Sequence, residues 1–107
     1  LKHFKKGNSL AIMIDQRVSE GISSRLFGEE AFTTTIPAQF VKKFDCNIVP
    51  IYIERKQKHH FKLEIFNPIE FSKNEEIEEI TIKLNTILEN MIVKNPDQWI
   101  WTHNRWK

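Results

Sequence analysis

The sequence predicts an α/β fold in the order β-loop-α-β-β-α, followed by an aromatic tail. Three observations carry this reading. Residues 10–14 (Leu-Ala-Ile-Met-Ile) form a continuous apolar run without alternation, as a strand covered on both faces does. Residues 61–66 (Phe-Lys-Leu-Glu-Ile-Phe) alternate cleanly, as a half-exposed strand does. Ile77, Ile80, Leu84, Ile87, Leu88, Met91 and Ile92 then recur at helical spacing along one stripe. With 107 residues, 40% hydrophobic and 28% charged, the composition is that of a globular chain rather than a disordered one. It reads as a single partial domain over residues 1–107. The chain opens on Leu1 and reaches strand-like sequence within ten residues, which points to an interior start within a longer protein.

The apolar run ends at Asp15. Residues 16–35 show no sustained period and carry Gly21, Gly28, several serines and three threonines, so they read as a long loop. Loops of about twenty residues inside a domain are commonly functional. This one leaves the carboxyl end of a strand, where open α/β sheets bind ligands. Residues 36–44 read as a short helix, with Pro37 in its first turn and Ile36, Phe40, Val41 and Phe44 on one face. Residues 47–54 form a second apolar strand, in which Pro50 argues for an edge or a bulge. The charged stretch from Arg55 to His60 turns the chain into the alternating strand, giving an antiparallel hairpin. Ser72-Lys73-Asn74-Glu75 has the form of a capping box before the long helix, whose first turns are acidic and whose last turn holds Lys94. One βαβ crossover extended by a hairpin implies a mixed sheet.

Asp15, with Gln16 and Arg17 after it, is the leading polar site candidate. Its carboxylate either orients an arginine or a substrate hydroxyl, or closes an Asx turn. Gly28 either lets the backbone approach a ligand or serves an ordinary turn. Thr33, Thr34 and Thr35 either donate to a ligand or cap the helix, with Thr35 the expected cap. The tail places Trp99, Trp101 and Trp106 among His103, Arg105 and Lys107. Those indoles stack on bases, lie at a membrane interface, or pack on the domain. His59, His60, Cys46 and His103 match no zinc spacing, so no metal and no cofactor is expected. A single cysteine excludes an internal disulfide and suits a reducing compartment. The net charge of +2 is too mild to argue for nucleic acid, and no apolar run approaches the ~20 residues of a membrane span.

Taken in order, Asp15-Gln16-Arg17, Phe27-Gly28 with Ala31 and Thr33, Pro37-Ala38, Val49-Pro50 and the closing Pro96-x-Gln98-Trp99-x-Trp101-x-His103-x-Arg105-Trp106-Lys107 resemble one family along the whole chain. It is the bacterial lipid A biosynthesis lauroyl/myristoyl acyltransferase family, a branch of the glycerolipid acyltransferase superfamily. The resemblance implies the C-terminal part of a glycerolipid-acyltransferase-like α/β domain. The implied enzyme works at the cytoplasmic face of the bacterial inner membrane. It moves a fatty acyl chain from acyl carrier protein to a hydroxyl of a lipid A precursor, with a membrane surface and no nucleic acid among its partners. The implied substrate-binding residues are Asp15, Gln16, Arg17, Phe27, Gly28, Thr33, Trp101, His103 and Arg105. Asp15 would hold substrate or an upstream arginine, Arg17 would meet phosphate or sugar groups of the acceptor, and His103, Arg105 and Lys107 would face lipid phosphates. Lys42, Lys43, Lys56 and Lys58 would attract the acidic carrier protein or form a solvated basic face. The family's general base, the histidine of an N-H-x4-Asp/Glu motif, has no counterpart: His3 is followed at the fifth position by Asn8. No catalytic residue is therefore assigned, and the chain alone is expected to be inactive. The readings from other classes are a small basic-aromatic nucleic-acid-binding module and an inactive gene fragment.

Overall fold

The computed structural model describes residues 2–106. Two β-hairpins and two α-helices make up the α/β fold. The first hairpin, β1 (Ile22–Leu26) and β2 (Glu29–Thr33), lies inside the stretch expected to be a loop. Its turn has only two residues, Phe27 (φ 54°) and Gly28 (φ 82°), between the paired Leu26 and Glu29. Two successive left-handed residues define the tight turn whose twist matches the flanking strands. The inward residues are Ser24, Leu26, Ala31 and Thr33. Period 2 is present, but three of those four side chains are small or polar, so no hydrophobic alternation announces it.

Helix α1 (Ile36–Phe44) holds the expected bounds, with Pro37 in its first turn. Just before the helix, the Thr34 hydroxyl accepts the Ile36 N–H at 3.3 Å. Thr35 is the N-cap residue, as expected, its carbonyl accepting the Gln39 N–H at 2.9 Å, while its hydroxyl accepts from the Gln39 side chain at 2.8 Å rather than from a helix N–H. Strands β3 (Ile51–Gln57) and β4 (His60–Ile65) form the second hairpin, with an irregularity between Arg55 and Gln57. Pro50 stands just before β3, where its carbonyl accepts from Phe66 at 3.0 Å. One face of this hairpin is apolar and open: Ile51, Ile53, Phe61, Leu63 and Ile65 are each more than half exposed.

Helix α2 (Ile77–Lys94) starts later than the Ser72–Glu75 signal implies. Glu75 does accept the Ser72 N–H at 2.7 Å, but this closes a separate turn, whose Lys73 and Glu75 carbonyls take the Lys42 ammonium at 2.9 and 2.8 Å. The helix is opened by Glu76, whose N–H is accepted by Glu79 at 2.8 Å. The apolar stripe of α2 then splits between two clusters. Ile80 and Leu84 pack with Ala38 and Val41 of α1, while Leu88 and Ile92 pack with Leu26 and Ala31 of the first hairpin. Each such fully buried aliphatic side chain contributes about 1.5–3 kcal/mol.

Residues 10–14 are not a strand, contrary to the sequence reading. Every strand pairing is antiparallel, and among the described residues nothing pairs with this segment. Met13 is 77% exposed. An extended run needs a neighbour to take up its N–H and C=O groups, and apolar content alone cannot supply one. Ile14 is the exception, packing on the α1–α2 cluster and so bringing Asp15 to the edge of the interior.

Candidate functional site

Between the two apolar clusters, α2 turns a polar strip inward. Thr81 and Asn85, one turn apart, are each 1% exposed. Asn85 Nδ2 donates to Ser24 Oγ and Thr33 Oγ1, both at 3.1 Å, and to the Arg25 carbonyl at 3.3 Å. Thr33 Oγ1 donates to the Ala31 carbonyl at 3.1 Å and accepts from Arg105 Nη2 at 3.0 Å. Arg105 Nη1 donates to the Phe32 carbonyl at 2.5 Å. Thr33 is thus the hub where strand, helix and tail meet. Gly21 presses on the same residue: a Cβ added there would lie 2.3 Å from the Thr33 carbonyl oxygen.

Arg105 is completely buried, which corrects the expectation that it faces lipid phosphates. Burial pushes its guanidinium pKa down, and the carboxylate of Asp15 opposes that shift. Two buried polar atoms of the network, Asn85 Oδ1 and Arg105 Nε, have no hydrogen-bond partner among the described residues, and neither has Asp15 Oδ1. Buried polar atoms are rarely left unpaired, and these are two acceptors and one donor.

The tail reaches this network by clasping both hairpins. The Gln98 amide pairs with the Arg55 backbone on both sides, accepting its N–H at 2.9 Å and donating to its carbonyl at 2.8 Å. Trp106 Nε1 donates to the Leu26 carbonyl at 3.0 Å, and Trp99 and Trp106 pack on the Leu26–Ala31–Leu88–Ile92 cluster. Trp101, 53% exposed, stacks on Trp106 at 6.4 Å and 11°. Of the three open readings of the tryptophans, packing on the domain accounts for Trp99 and Trp106.

Thr33 and Arg105 therefore come together, and Asp15 makes no hydrogen bond or ion pair with either among the described residues. Gln16, Arg17 and His103 are exposed. Phe27 and Gly28 are not at this site: they form the β1–β2 turn, four residue steps along the hairpin from the Ile22–Thr33 pair, or about 14 Å at strand rise. Gly28 has nothing within 4 Å of an added Cβ, so it is a turn glycine rather than a pocket wall. The Phe27 N–H is held from α2 by Glu89 at 2.6 Å. Lys107 lies outside the described residues. Of the four lysines expected to meet the carrier protein, Lys42 is occupied by backbone carbonyls and Lys56 by Glu54. Asn85 was missed by the sequence reading, although Thr81 and Asn85 at four-residue spacing beside the apolar stripe are a legible signal.

One histidine does have a carboxylate five positions on, without the preceding asparagine: His59 and Glu64. His59 sits in the β3–β4 turn and Glu64 near the far end of β4, where it meets Lys94 at 3.3 Å. Five residues of extended chain separate the two by about 17 Å, far beyond dyad contact.

The α/β frame thus holds a buried Arg–Thr–Asn hydrogen-bond network beneath an aromatic tail, and among the described residues no histidine pairs with a carboxylate. The family model for bacterial lipid A biosynthesis acyltransferases matches residues 1–107, and the chain belongs to that family. No curated protein matches the chain. Its function is accordingly of the lipid A acyltransferase type. No helix among the described residues is long and apolar enough to cross a membrane.

Proposed function

We propose that this chain supplies the acceptor-side wall of an enzyme that moves a fatty acyl chain from acyl carrier protein to a hydroxyl of a lipid A precursor. The observation that carries this reading is the buried network holding an unpaired donor, Arg105 Nε, and an unpaired acceptor, Asp15 Oδ1, in a chain matched by the family over its whole length. Asp15 accepts from the acceptor hydroxyl or orients its neighbours. Thr33 holds the frame through β2, and exposed Gln16, Arg17 and His103 meet phosphate or sugar groups at the rim. Attack on a thioester needs a base to take the hydroxyl proton. No N-H-x4-Asp/Glu motif stands among the 107 residues to provide one. The site is therefore completed by a histidine outside them.

Lys43 and Lys58 are the remaining cations suited to the acidic carrier protein. The cytoplasmic face of the bacterial inner membrane is the corresponding location. Exposed Ile100 (70%) and Trp101 beside His103 give the tail an amphipathic edge suited to a lipid surface. The nucleic-acid reading loses its stacking platform, because Trp99 and Trp106 are committed to the core.

The test incubates the purified chain with acyl carrier protein bearing a labelled acyl group and a hydroxyacylated lipid A precursor. No label transfer is expected from the chain alone, and turnover would refute the assignment of the base elsewhere. In the enzyme carrying both segments, Asp15→Asn is expected to lower kcat at least tenfold with an unchanged melting temperature. Unfolding instead, or an unchanged rate, would remove Asp15 from the site.

A further inference from the structure

We infer that the open face of the β3–β4 hairpin is a docking surface for a bilayer bearing anionic lipids. The hairpin is inverted relative to the body it joins. Its cross-strand pairs Ile51–Ile65, Ile53–Leu63 and Arg55–Phe61 share the outer face, and all six side chains are exposed. The pairs Tyr52–Glu64 and Glu54–Lys62 share the other face, which turns towards α2: the Lys94 ammonium lies 5.4 Å from the Tyr52 ring centre and 3.3 Å from Glu64. A strand pair with one face in water normally does the reverse, apolar in and polar out. A contiguous apolar face rimmed by polar residues marks a protein or a membrane contact.

Charge decides between these. Residues 55–62 (Arg-Lys-Gln-Lys-His-His-Phe-Lys) bring four cations and two histidines to the tip and no carboxylate. The hairpin's carboxylates are both engaged, Glu54 by Lys56 and Glu64 by Lys94. Arg55, Lys58 and Lys62 make no ion pair among the described residues. Arg55 holds its guanidinium 5.2 Å from the Phe61 ring centre, on the border between the apolar pairs and the cationic tip. There Ile53, Arg55, Phe61 and Gln98 line a hollow of about 370 Å³. A lipid, with phosphate on the cationic side and hydrocarbon on the other, matches that order of side chains. A second copy of the chain does not: its outer face brings no carboxylate to the tip, and five apolar side chains a little over half exposed offer roughly 600 Å², short of the ~800 Å² per partner of a stable pair. The Gln98 clasp on the Arg55 backbone also makes the face continuous with the tail, since exposed Ile100 and Trp101 follow within three residues. The same clasp occupies the Arg55 N–H and carbonyl, which lipid could not satisfy. The hairpin's other edge groups keep it in the headgroup layer rather than in the hydrocarbon. Lys58 then meets lipid phosphates, which leaves Lys43 to the carrier protein.

The inference rests on the acyltransferase reading only for the presence of a membrane, and its test needs no acyl transfer. The purified chain is co-sedimented with vesicles of phosphatidylglycerol and phosphatidylethanolamine, one part to three, or of phosphatidylcholine alone. Binding to the anionic vesicles is expected to be at least tenfold tighter and to weaken with salt. Each cation near an anionic surface strengthens binding roughly fivefold, so Lys58→Gln together with Lys62→Gln is expected to lose roughly twentyfold. Ile53→Thr together with Leu63→Thr is expected to lose at least tenfold with no fall in melting temperature. Should that pair unfold the chain, Ile65→Thr, the most exposed of the five, is expected to lose at least threefold, and an unchanged affinity overturns the inference. It is also overturned if the parent chain binds no vesicles, or if binding survives the Ile53→Thr and Leu63→Thr pair and falls only with Trp101→Ser. A dimer that this pair dissociates, without vesicle binding, assigns the face to a second copy and overturns it too. Hairpin-dependent binding by an enzyme indifferent to Asp15→Asn keeps the docking face and discards the acceptor-site reading. An enzyme slowed by Asp15→Asn whose vesicle binding ignores the hairpin variants does the opposite.

Discussion

Replacing Asn85 with alanine should be among the most damaging single changes on α2, and its size can be worked from the network. The side chain is 1% exposed and presents Nδ2 to three acceptors, Ser24 Oγ, Thr33 Oγ1 and the Arg25 carbonyl. An amide nitrogen has two hydrogens, so two full hydrogen bonds are the most it can make, each worth about 1 kcal/mol net. A residual void of roughly 30 Å³ at about 24 cal/mol per Å³ adds a little under ~1 kcal/mol. Alanine's better helix propensity returns up to about 0.7 kcal/mol. The net loss is therefore about 2–3 kcal/mol, or a fall of roughly 10–20 °C in Tm for a domain of this size. Asn90→Ala on the exposed side of the same helix supplies the propensity gain alone and should be neutral or slightly stabilising. Urea unfolding followed by tryptophan fluorescence reads both, because Trp99 and Trp106 pack on the adjoining cluster. If the two variants lie within about 1 kcal/mol of each other, the buried amide does not organise the network as argued.

Two glycines separate steric from conformational demands. Gly21→Ala puts a Cβ against the Thr33 carbonyl, a backbone atom that cannot swing aside, and should cost roughly 1–3 kcal/mol, with Gly21→Asn no better. Gly28→Ala meets open space and should lose about 1 kcal/mol through its left-handed backbone, most of which Gly28→Asn restores; chemical denaturation of the four variants checks both claims. At Cys46, burial pushes the thiol pKa up, with Asp45 adding to it and a backbone hydrogen bond opposing it. Alkylation by a thiolate-selective reagent should be slow at neutral pH and keep rising with pH beyond the range where a free thiol levels off. A plateau at the free-thiol midpoint would contradict the burial argument.

The sequence by itself determined the elements whose signal is local. Helix α1, the β3–β4 hairpin and the stripe of α2 are legible because apolar period and turn chemistry act over a few residues. The family pattern was legible too, since it resides in residue identity and spacing. Tertiary structure decided the rest. It made a hairpin of residues 22–33, whose inward side chains divide, Leu26 and Ala31 entering an apolar cluster while Ser24 and Thr33 enter a polar network, so no hydrophobic alternation marks the strands. It left residues 10–14 unpaired, since strand formation depends on a neighbour that no local pattern encodes. It also turned Arg105 from a surface cation into a buried one held on β2. Burying a cation more than seventy residues from the strand that receives it is a property of the packed chain, because only packing sets the solvent exposure and hydrogen-bond partners that make such burial tolerable.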